Sequence, residues 1–279
     1  MEKRFYRFAK LSLILVYLVI VAGALVRMTG SGMGCPDWPK CFGYYIPPTN
    51  VETLMWSTDR AFEKGQVIIY EKELLVAQSN FTTGASINLS LWEPYTKHAY
   101  AVFNPYHTWI EFLNRLVGAI AGLATLVLAV LSLKYWKKNK TITLLSFGVV
   151  LAMGFQAWLG ATVVYSVLAP AKITTHMLMA LAIVAALILL MVKAAPLEKK
   201  QKYKGVFHKS IAALVVIVLV QITFGTQVRE FVDHQLEAGV AKSHWLLYPT
   251  WIFYLHRSFS ILPLFLTLYA FWINKKEGL

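Results

Sequence analysis

Four polar side chains fall inside long apolar segments of the sequence, where a bilayer makes charged and hydrogen-bonding groups costly. They are Glu111, Asn114, His176 and His256, each close to one end of its segment. A carboxylate can transfer protons, and an imidazole can bind a metal ion. Polar groups at membrane depth usually mark a cofactor, an ion path or a substrate, so we expect function at these four residues.

The composition places these residues in a membrane protein. Of the 279 residues, 57% are hydrophobic and 15% are charged, which is too apolar for an ordinary soluble domain. Lipid offers no partners to backbone groups, so spanning segments are predicted to be helical. The expected fold is an all-α polytopic membrane protein with six transmembrane helices. The six stretches long enough to cross a hydrocarbon core of about 30 Å are roughly 11–28, 109–134, 143–165, 172–193, 209–228 and 250–273.

Lysine and arginine residues form four clusters that predict the orientation of the chain. They precede the first predicted span, follow the second, join the fourth to the fifth, and lie near the C-terminus. By the positive-inside rule both termini are cytoplasmic and the loop over residues 29–106 is outside, as in a bacterial cell membrane. The net charge of +13 then reflects topology and attraction to anionic lipids of the bilayer, and we see no nucleic-acid footprint in it.

Residues 1–28 have a second interpretation. A basic start followed by an apolar run is shared with cleaved signal peptides, and Ala22, Gly23 and Ala24 could form the cleavage site. The apolar run is slightly long for a signal peptide and its end is repeated later in the chain, which favours a retained first span.

With this orientation the second, fourth and sixth spans run inward from the outer side. Glu111, Asn114, His176 and His256 each lie within about two helical turns of the outer ends of these spans. The four side chains therefore share one layer of the bilayer, as a cofactor held between helices requires.

The outer loop contains both cysteines of the chain, Cys35 and Cys41. An oxidising compartment permits a disulfide, and no other cysteine offers a competing intramolecular pair. One interpretation is a small structural disulfide, and the other is a redox-active pair that passes electrons or meets a reducing partner. The local sequence offers no convincing set of further ligands for a metal site.

An internal repeat indicates the architecture. Residues 23–27 end the first span, and the similar residues 225–229 end the fifth. Residues 113–115 open the second span, and the similar residues 255–257 open the sixth. Spans one and two therefore look like a duplicate of spans five and six, within a parent arrangement of two four-helix halves.

On this comparison Asn114 takes the position of His256, while His176 would need a counterpart on an eighth span that the chain lacks. The first half is complete, and the second is represented by two of its four spans. The predicted parts are the N-terminus with the first span (1–28), the outer loop (29–106), spans two to four (107–193), and spans five and six (194–279).

Histidines on facing helices near arginines are the pattern that haem requires. Imidazole binds haem iron axially, the macrocycle needs an apolar slot between helices, and its propionates need cations at the aqueous edge. His176 and His256 are the predicted iron ligands, although intramembrane histidines also form hydrogen bonds between helices. The candidate propionate-binding residues, which could alternatively extend to lipid headgroups alone, are Arg27, Arg115, Arg229 and Arg257.

Glu111 is the candidate catalytic residue. His107, Glu111 and Asn114 are spaced by four and three, so they share one face of the second span. A carboxylate about one turn from an axial-ligand position could relay protons or position a substrate methyl. The alternative is a structural partner for Arg115 or His107, and His107 itself is interpreted as interfacial.

At these residues the sequence resembles the haem A synthase family. The resemblance implies an eight-helix protein of two pseudo-symmetric halves that oxidises a ring methyl of haem O to the formyl group of haem A. It also implies a substrate haem in the first half, haem b in the second, an essential glutamate at Glu111, and an outer-loop disulfide between Cys35 and Cys41. The matching segments are residues 23–41, 111–115, 156–164 with His176, and 221–229 with 255–257.

Two departures from the family pattern bear on the haem sites. The family's histidine on span two is Asn114 here, so His176 alone would hold a first-half haem unless Asn114 coordinates weakly. An open iron position suits oxygen activation better than simple electron transfer, which favours catalysis in the first half. The missing pair of C-terminal spans removes the partner of His256. Either the chain is incomplete, or the second haem site is absent, reshaped or completed by another subunit.

The predicted function is that of a membrane haem-dependent oxidoreductase with haem O as substrate and haem b as cofactor. The expected partners are haem O and its synthase, the terminal oxidase under assembly, and a redox partner that the sequence does not identify. Whether the chain forms a homo-oligomer is open. The alternatives are a non-catalytic haem carrier or assembly factor, which would not need Glu111, and a b-type cytochrome electron carrier, which would hold two bis-histidine haems.

Overall fold

The computed structural model describes residues 2–100, 102–195 and 205–277. Within these ranges the chain is mostly helical, with a small region of β-structure between the first two helices. The helices are α1 (Glu2–Thr29), α2 (Pro105–Ser132), α3 (Lys140–Tyr165), α4 (Pro170–Ala194), α5 (Gly205–Glu237), α6 (Trp251–Phe259) and α7 (Ile261–Glu277).

Six helical stretches in the described part of the chain are long and apolar enough to cross a membrane, which confirms the predicted all-α polytopic class. The first five correspond to α1 to α5, and the sixth combines α6 and α7. Asn104 caps the N-terminus of α2, where its side chain accepts hydrogen bonds from the backbone N–H groups of Tyr106 and His107.

The predicted sixth span over roughly residues 250–273 is present as Trp251–Lys276, and it contains one interruption. The helix is interrupted at Ser260, between α6 and α7. Pro263 follows three residues later, and its ring has no N–H and clashes with the carbonyl of the residue four positions earlier, Phe259. The C-terminal end of α6 is closed by the Ser260 N–H, which donates to the carbonyl of His256 at 3.2 Å.

The chain divides into two compact units, the first from Met1 to Ala195 and the second from Pro196 to Leu279. In the first unit α1 and α3 each pack against both α2 and α4, so α2 and α4 lie diagonally across a four-helix arrangement. Its interior is mostly apolar, and it includes the fully buried Ala121, Leu128, Leu187 and Leu190. In the second unit α5 packs against α6 and α7.

The outer loop between α1 and α2 contains β-structure that the sequence did not indicate. A two-stranded sheet pairs β1 with β4, and a three-stranded antiparallel sheet has the order β2-β3-β5. The aromatic rings of Phe62, Phe81 and Trp92 pack together over part of it. The strands are β1 (Ala61–Phe62), β2 (Val67–Tyr70), β3 (Glu73–Ala77), β4 (Phe81–Thr82) and β5 (Trp92–Pro94).

Candidate functional site

Three helix pairs share one local arrangement, in which a glycine on one helix faces a polar side chain on the next. Each distance is measured from the position that a Cβ atom would take at the glycine. Between α1 and α2, the distance from a Cβ at Gly23 to Oδ1 of Asn114 is 3.9 Å. In α3 and α4 it is 3.4 Å from Gly160 to Cε1 of His176. The corresponding contact in α5 and α6 joins Gly225 to His256.

This third contact is the tightest, because a Cβ at Gly225 would lie 3.1 Å from Cε1 of His256. A spacing below 3.4 Å is closer than most Cβ contacts in proteins, so glycine lets the imidazole approach the backbone of the neighbouring helix. Both predicted imidazoles and the amide of Asn114 therefore occupy equivalent places in their own helix pairs.

In the first unit, Asn114 and His176 belong to the same end of the four-helix arrangement. Asn114 lies nine residues after the start of α2, and His176 lies six residues after the start of α4. Both helices begin on the side where the outer loop lies, since Tyr165 at the end of α3 donates its hydroxyl to the carbonyl of Trp38 at 3.0 Å. The two side chains thus lie at a similar depth on diagonally opposed helices.

A glutamine on the preceding helix contacts each histidine, a feature to which sequence reasoning assigned no role. Nε2 of Gln156 donates to the carbonyl of His176 at 3.0 Å. Nε2 of Gln221 donates to the carbonyl of His256 at 2.7 Å. Each glutamine precedes the facing glycine by four residues, so glutamine and glycine share one helix face. The shared pattern, Gln followed four positions later by Gly, is the signal in the sequence that could have revealed it.

Several polar atoms at these positions are buried without a hydrogen-bond partner in the described part of the chain. They include Nδ1 of His176, Nδ1 of His256 and Oδ1 of Asn114. Buried polar groups in proteins are almost always paired, and an unpaired one is a reason to look for a ligand. These atoms are therefore candidates for contact with a bound group.

Glu111 is buried, with 4% of its surface exposed to solvent. Its two carboxylate oxygens have different partners. Oε1 pairs with the guanidinium of Arg115, one turn further along α2, at 2.5 Å. Oε2 accepts a hydrogen bond from the backbone N–H of Cys35 at 2.8 Å. The structural partnership with Arg115 that the sequence left open is thus present, and the carboxylate also contacts the outer loop.

Arg115 binds the outer loop more extensively than Glu111 does. Its Nη1 donates to the carbonyl oxygens of Asp37 at 2.7 Å and Lys40 at 2.8 Å. Its Nη2, which pairs with Glu111, also lies 3.4 Å from the carbonyl of Cys35. A guanidinium has five donors in a fixed fork, which suits this set of acceptors. The side chain predicted to bind a propionate is therefore engaged with loop carbonyls.

The other three candidate arginines differ in their surroundings. Arg229 forms an ion pair with Asp233 along α5, with Nε and Oδ1 separated by 2.9 Å. Arg257 is exposed in the last turn of α6. Arg27 is partly buried in the last turn of α1.

Cys35 and Cys41 form the disulfide, and the loop that it closes docks against the start of α2. The hydroxyl of Thr108 donates to the carbonyl of Gly34 at 2.7 Å. A Cβ at Gly34 would lie 2.3 Å from the carbonyl oxygen of His107, so only glycine permits this approach.

Asp37 organises the disulfide loop from within. Its carboxylate accepts hydrogen bonds from the backbone N–H groups of Phe42 at 2.5 Å and Gly43 at 2.8 Å. Burial raises the pKa of Asp37 above its ordinary value of 3.8, although these hydrogen bonds and the charge of Arg115 act in the opposite direction.

A polytopic helical membrane protein with imidazoles packed between neighbouring helices is the class that this fold and site define. The chain belongs to the cytochrome oxidase assembly protein family, whose family model matches residues 6–83 and 90–277. This confirms the resemblance predicted from the sequence. No solved structure matches the chain.

Several curated proteins that are similar to the chain are haem A synthases from bacteria. The chain is 27% identical to that of Shewanella oneidensis over 67% of this chain and 44% of the relative. It is 27% identical to that of Alkalihalophilus pseudofirmus over 70% of this chain and 48% of the relative. It is 26% identical to that of Flavobacterium psychrophilum over 84% of this chain and 62% of the relative. The chain therefore spans about half the length of the curated relatives that it matches.

Proposed function

We propose that this protein carries out a haem A synthase-like oxidation, in which a ring methyl of haem O becomes the formyl group of haem A for terminal oxidase assembly. The observation that carries the proposal is the pair of glycine-facing imidazoles, His176 in the first unit and His256 in the second. The names of the curated relatives support it. We further propose a cell-membrane location with the loop over residues 29–106 outside.

The residues present fit a haem group. Each imidazole has a buried Nδ1 without a partner in the described part of the chain, and an imidazole nitrogen could bind haem iron. We assign His176 to the substrate haem and His256 to haem b, with Arg27, Arg229 and Arg257 as cations for propionates. When bound, haem b would supply electron-transfer chemistry to the reaction.

Glu111 would accept protons that the reaction releases. With water as the source of the oxygen atom, a methyl becomes a formyl group as –CH3 + H2O → –CHO + 4 H+ + 4 e−. The electrons would pass to the redox partner, a one- or two-electron acceptor outside this chain, and the protons need an acceptor at the methyl. Glu111 lies three residues from Asn114, or about 4.5 Å along the axis of α2. Arg115 and the N–H of Cys35 hold its carboxylate in place. This fixes the orientation of the acceptor before the substrate binds.

Replacing Glu111 with alanine separates an enzyme from a haem carrier. We expect Glu111→Ala to retain haem and to lose formation of haem A, measured by chromatography of extracted haems from cells that contain haem O. The matched control is Glu230→Gln, a carboxylate on membrane helix α5 of the second unit, for which we expect unchanged output. Unchanged haem A formation by Glu111→Ala would overturn the catalytic assignment and favour a carrier.

A b-type cytochrome is distinguished by its iron ligands. Such a carrier would contain two bis-histidine haems that cycle rapidly and reversibly between redox states. With Asn114 in the matching position of the first unit, we expect the first-unit haem to have His176 as its single imidazole ligand. Low-spin spectra for all bound haem, with no haem A formed, would support the electron carrier.

A further inference from the structure

We infer that Gln156 and Gln221 are positioning residues that fix the helical turns bearing the two haem ligands, an inference that rests on the proposed haem binding at His176 and His256. Each glutamine would act through the histidine on the next helix, without touching the haem itself. The two glutamines would thereby set the geometry of imidazole toward iron.

The hydrogen bond reaches the backbone of the ligand residue itself. Gln156 donates to the carbonyl of His176 at 3.0 Å, and Gln221 donates to that of His256 at 2.7 Å. A carbonyl oxygen has two lone pairs, so it can accept from the glutamine and from its own helix together. The glutamine therefore ties the ligand's turn to the neighbouring helix without breaking helical hydrogen bonding.

The glycine four residues later completes the arrangement. A Cβ at Gly160 would lie 3.4 Å from Cε1 of His176, and one at Gly225 would lie 3.1 Å from Cε1 of His256. The glutamine fixes the backbone of the ligand, and the close helix surface at the glycine limits where its ring can lie. Two contacts from one helix face thus define both the turn and the ring.

The helix pair without an imidazole provides an internal comparison. In α1 and α2, Gly23 faces Asn114, so the glycine of the pattern is present. Four residues before Gly23 the sequence has Val19, which cannot donate a side-chain hydrogen bond. The glutamine is therefore found in the two pairs that carry a histidine, and a valine stands in the pair that carries an amide.

The contact of Gln156 extends to the ring of its histidine. Nε2 of Gln156 lies 3.4 Å from Nε2 of His176, in addition to its bond to the carbonyl. The same amide thus borders both the backbone and the imidazole of one residue. Loss of this side chain would free the turn that bears the ring, because the bond to the carbonyl of His176 is lost.

The test uses Gln156→Met and Gln221→Met, which keep side-chain length and remove the donor. The full chain is purified in detergent with its haem, and haem loss to excess apomyoglobin is timed. We expect haem loss to become about 3- to 15-fold faster, the range that one interhelical hydrogen bond in a membrane protein would give. The control is Gln227→Met, an exposed glutamine on α5.

Electron paramagnetic resonance of the oxidised protein gives the second measurement, because its g values report ligand orientation. We expect Gln156→Met to change the signal of the haem lost in His176→Ala, and Gln221→Met to change that of the haem lost in His256→Ala. Signals and loss rates equal to the parent would overturn the inference, and so would equal changes at both haems in each variant. If a methionine variant gives no protein, Gln→Asn at the same position, one methylene too short, replaces it.

The experiment distinguishes a failure of the proposed function from a failure of the positioning role. A parent protein that stays colourless when supplied with haem would overturn both proposals together. A coloured parent with unaltered spectra in both glutamine variants overturns only the positioning role. Haem A output is assayed in parallel, so a loss of activity with unchanged spectra would not be counted as support.

Discussion

The backbone N–H of Cys35 donates a 2.8 Å hydrogen bond to Oε2 of Glu111, across 76 positions of the chain. The loop closed by the disulfide is thereby attached to the carboxylate to which we assign the proton chemistry. Arg115 strengthens this attachment, because it pairs with Glu111 and donates to carbonyls on the same loop. Substitutions that displace the loop should therefore change the position of the Glu111 carboxylate.

Gly34→Ala tests this docking. The added Cβ would lie 2.3 Å from the carbonyl oxygen of His107, and a backbone atom cannot move aside as a flexible side chain can. We expect a loss of about 1–3 kcal/mol in the stability of the docked loop, with faster amide hydrogen exchange at Cys35. The control is Gly118→Ala on α2, where an added Cβ meets no atom within 4 Å. Equal exchange in both variants would contradict the close approach.

The glycines that face the imidazoles predict a graded series. Gly225→Ala should weaken haem retention most and Gly160→Ala less, because the added Cβ would lie 3.1 and 3.4 Å from the respective imidazole rings. Gly23→Ala is the matched control, since its Cβ would be 3.9 Å from Asn114, an ordinary contact. Haem content per protein, measured as pyridine haemochrome, gives the order. The reverse order would show that these contacts do not shape the haem sites.

The positions of the spans could be predicted from the sequence because length and hydropathy are local properties. The expectation of polar residues near the outer ends of the spans followed from those positions. The strands of the outer loop could not be predicted, since each is five residues or shorter, and the pairings of β1 with β4 and of β3 with β5 join segments distant in sequence. The contacts of Gln156 and Gln221 needed distances between helices, which a sequence does not contain.

The same distinction applies to Glu111. Its pairing with Arg115 was open to sequence reasoning, because a spacing of four places both side chains on one face of a helix. The hydrogen bond that Glu111 accepts from Cys35 could not be predicted, because no local sequence pattern indicates that residue 35 contacts residue 111. The break at Ser260 had a signal in Pro263, although a proline alone does not decide between a kink and an interruption.

Asn114→His tests whether the first-unit haem has an open position. Because Asn114 faces Gly23 as the histidines face their glycines, an imidazole there is expected to reach the iron as a second ligand. We expect a shift of the first-unit haem toward low spin and a loss of most of its carbon monoxide binding. Asn114→Leu, which removes the amide without adding a ligand, should leave carbon monoxide binding intact. Equal binding in both variants would contradict the assignment.

The loop should also respond to pH through Asp37. Burial raises the pKa of this carboxyl above 3.8, so the folded loop holds the proton more tightly than the unfolded loop does. Protonated Asp37 therefore stabilises the folded loop at a pH below the pKa that Asp37 has in the unfolded loop. This stabilisation is lost as the pH rises through the higher pKa that Asp37 has in the folded loop. Amide exchange of Phe42 and Gly43 should therefore reveal a loop opening that becomes easier across this interval, after correction for intrinsic exchange. Asp37→Asn should remove this pH dependence of loop opening. The same dependence of exchange on pH in Asp37→Asn and in the parent would contradict the prediction.

The most direct test of the central claim is the haem content of the purified protein when each predicted iron ligand is removed singly. Visible spectra with pyridine haemochrome analysis report the type and amount of haem together. We predict that His176→Ala loses the first-unit haem and keeps haem b, whereas His256→Ala loses haem b and keeps the other. Parent-like haem content and spectra in both variants would contradict the account.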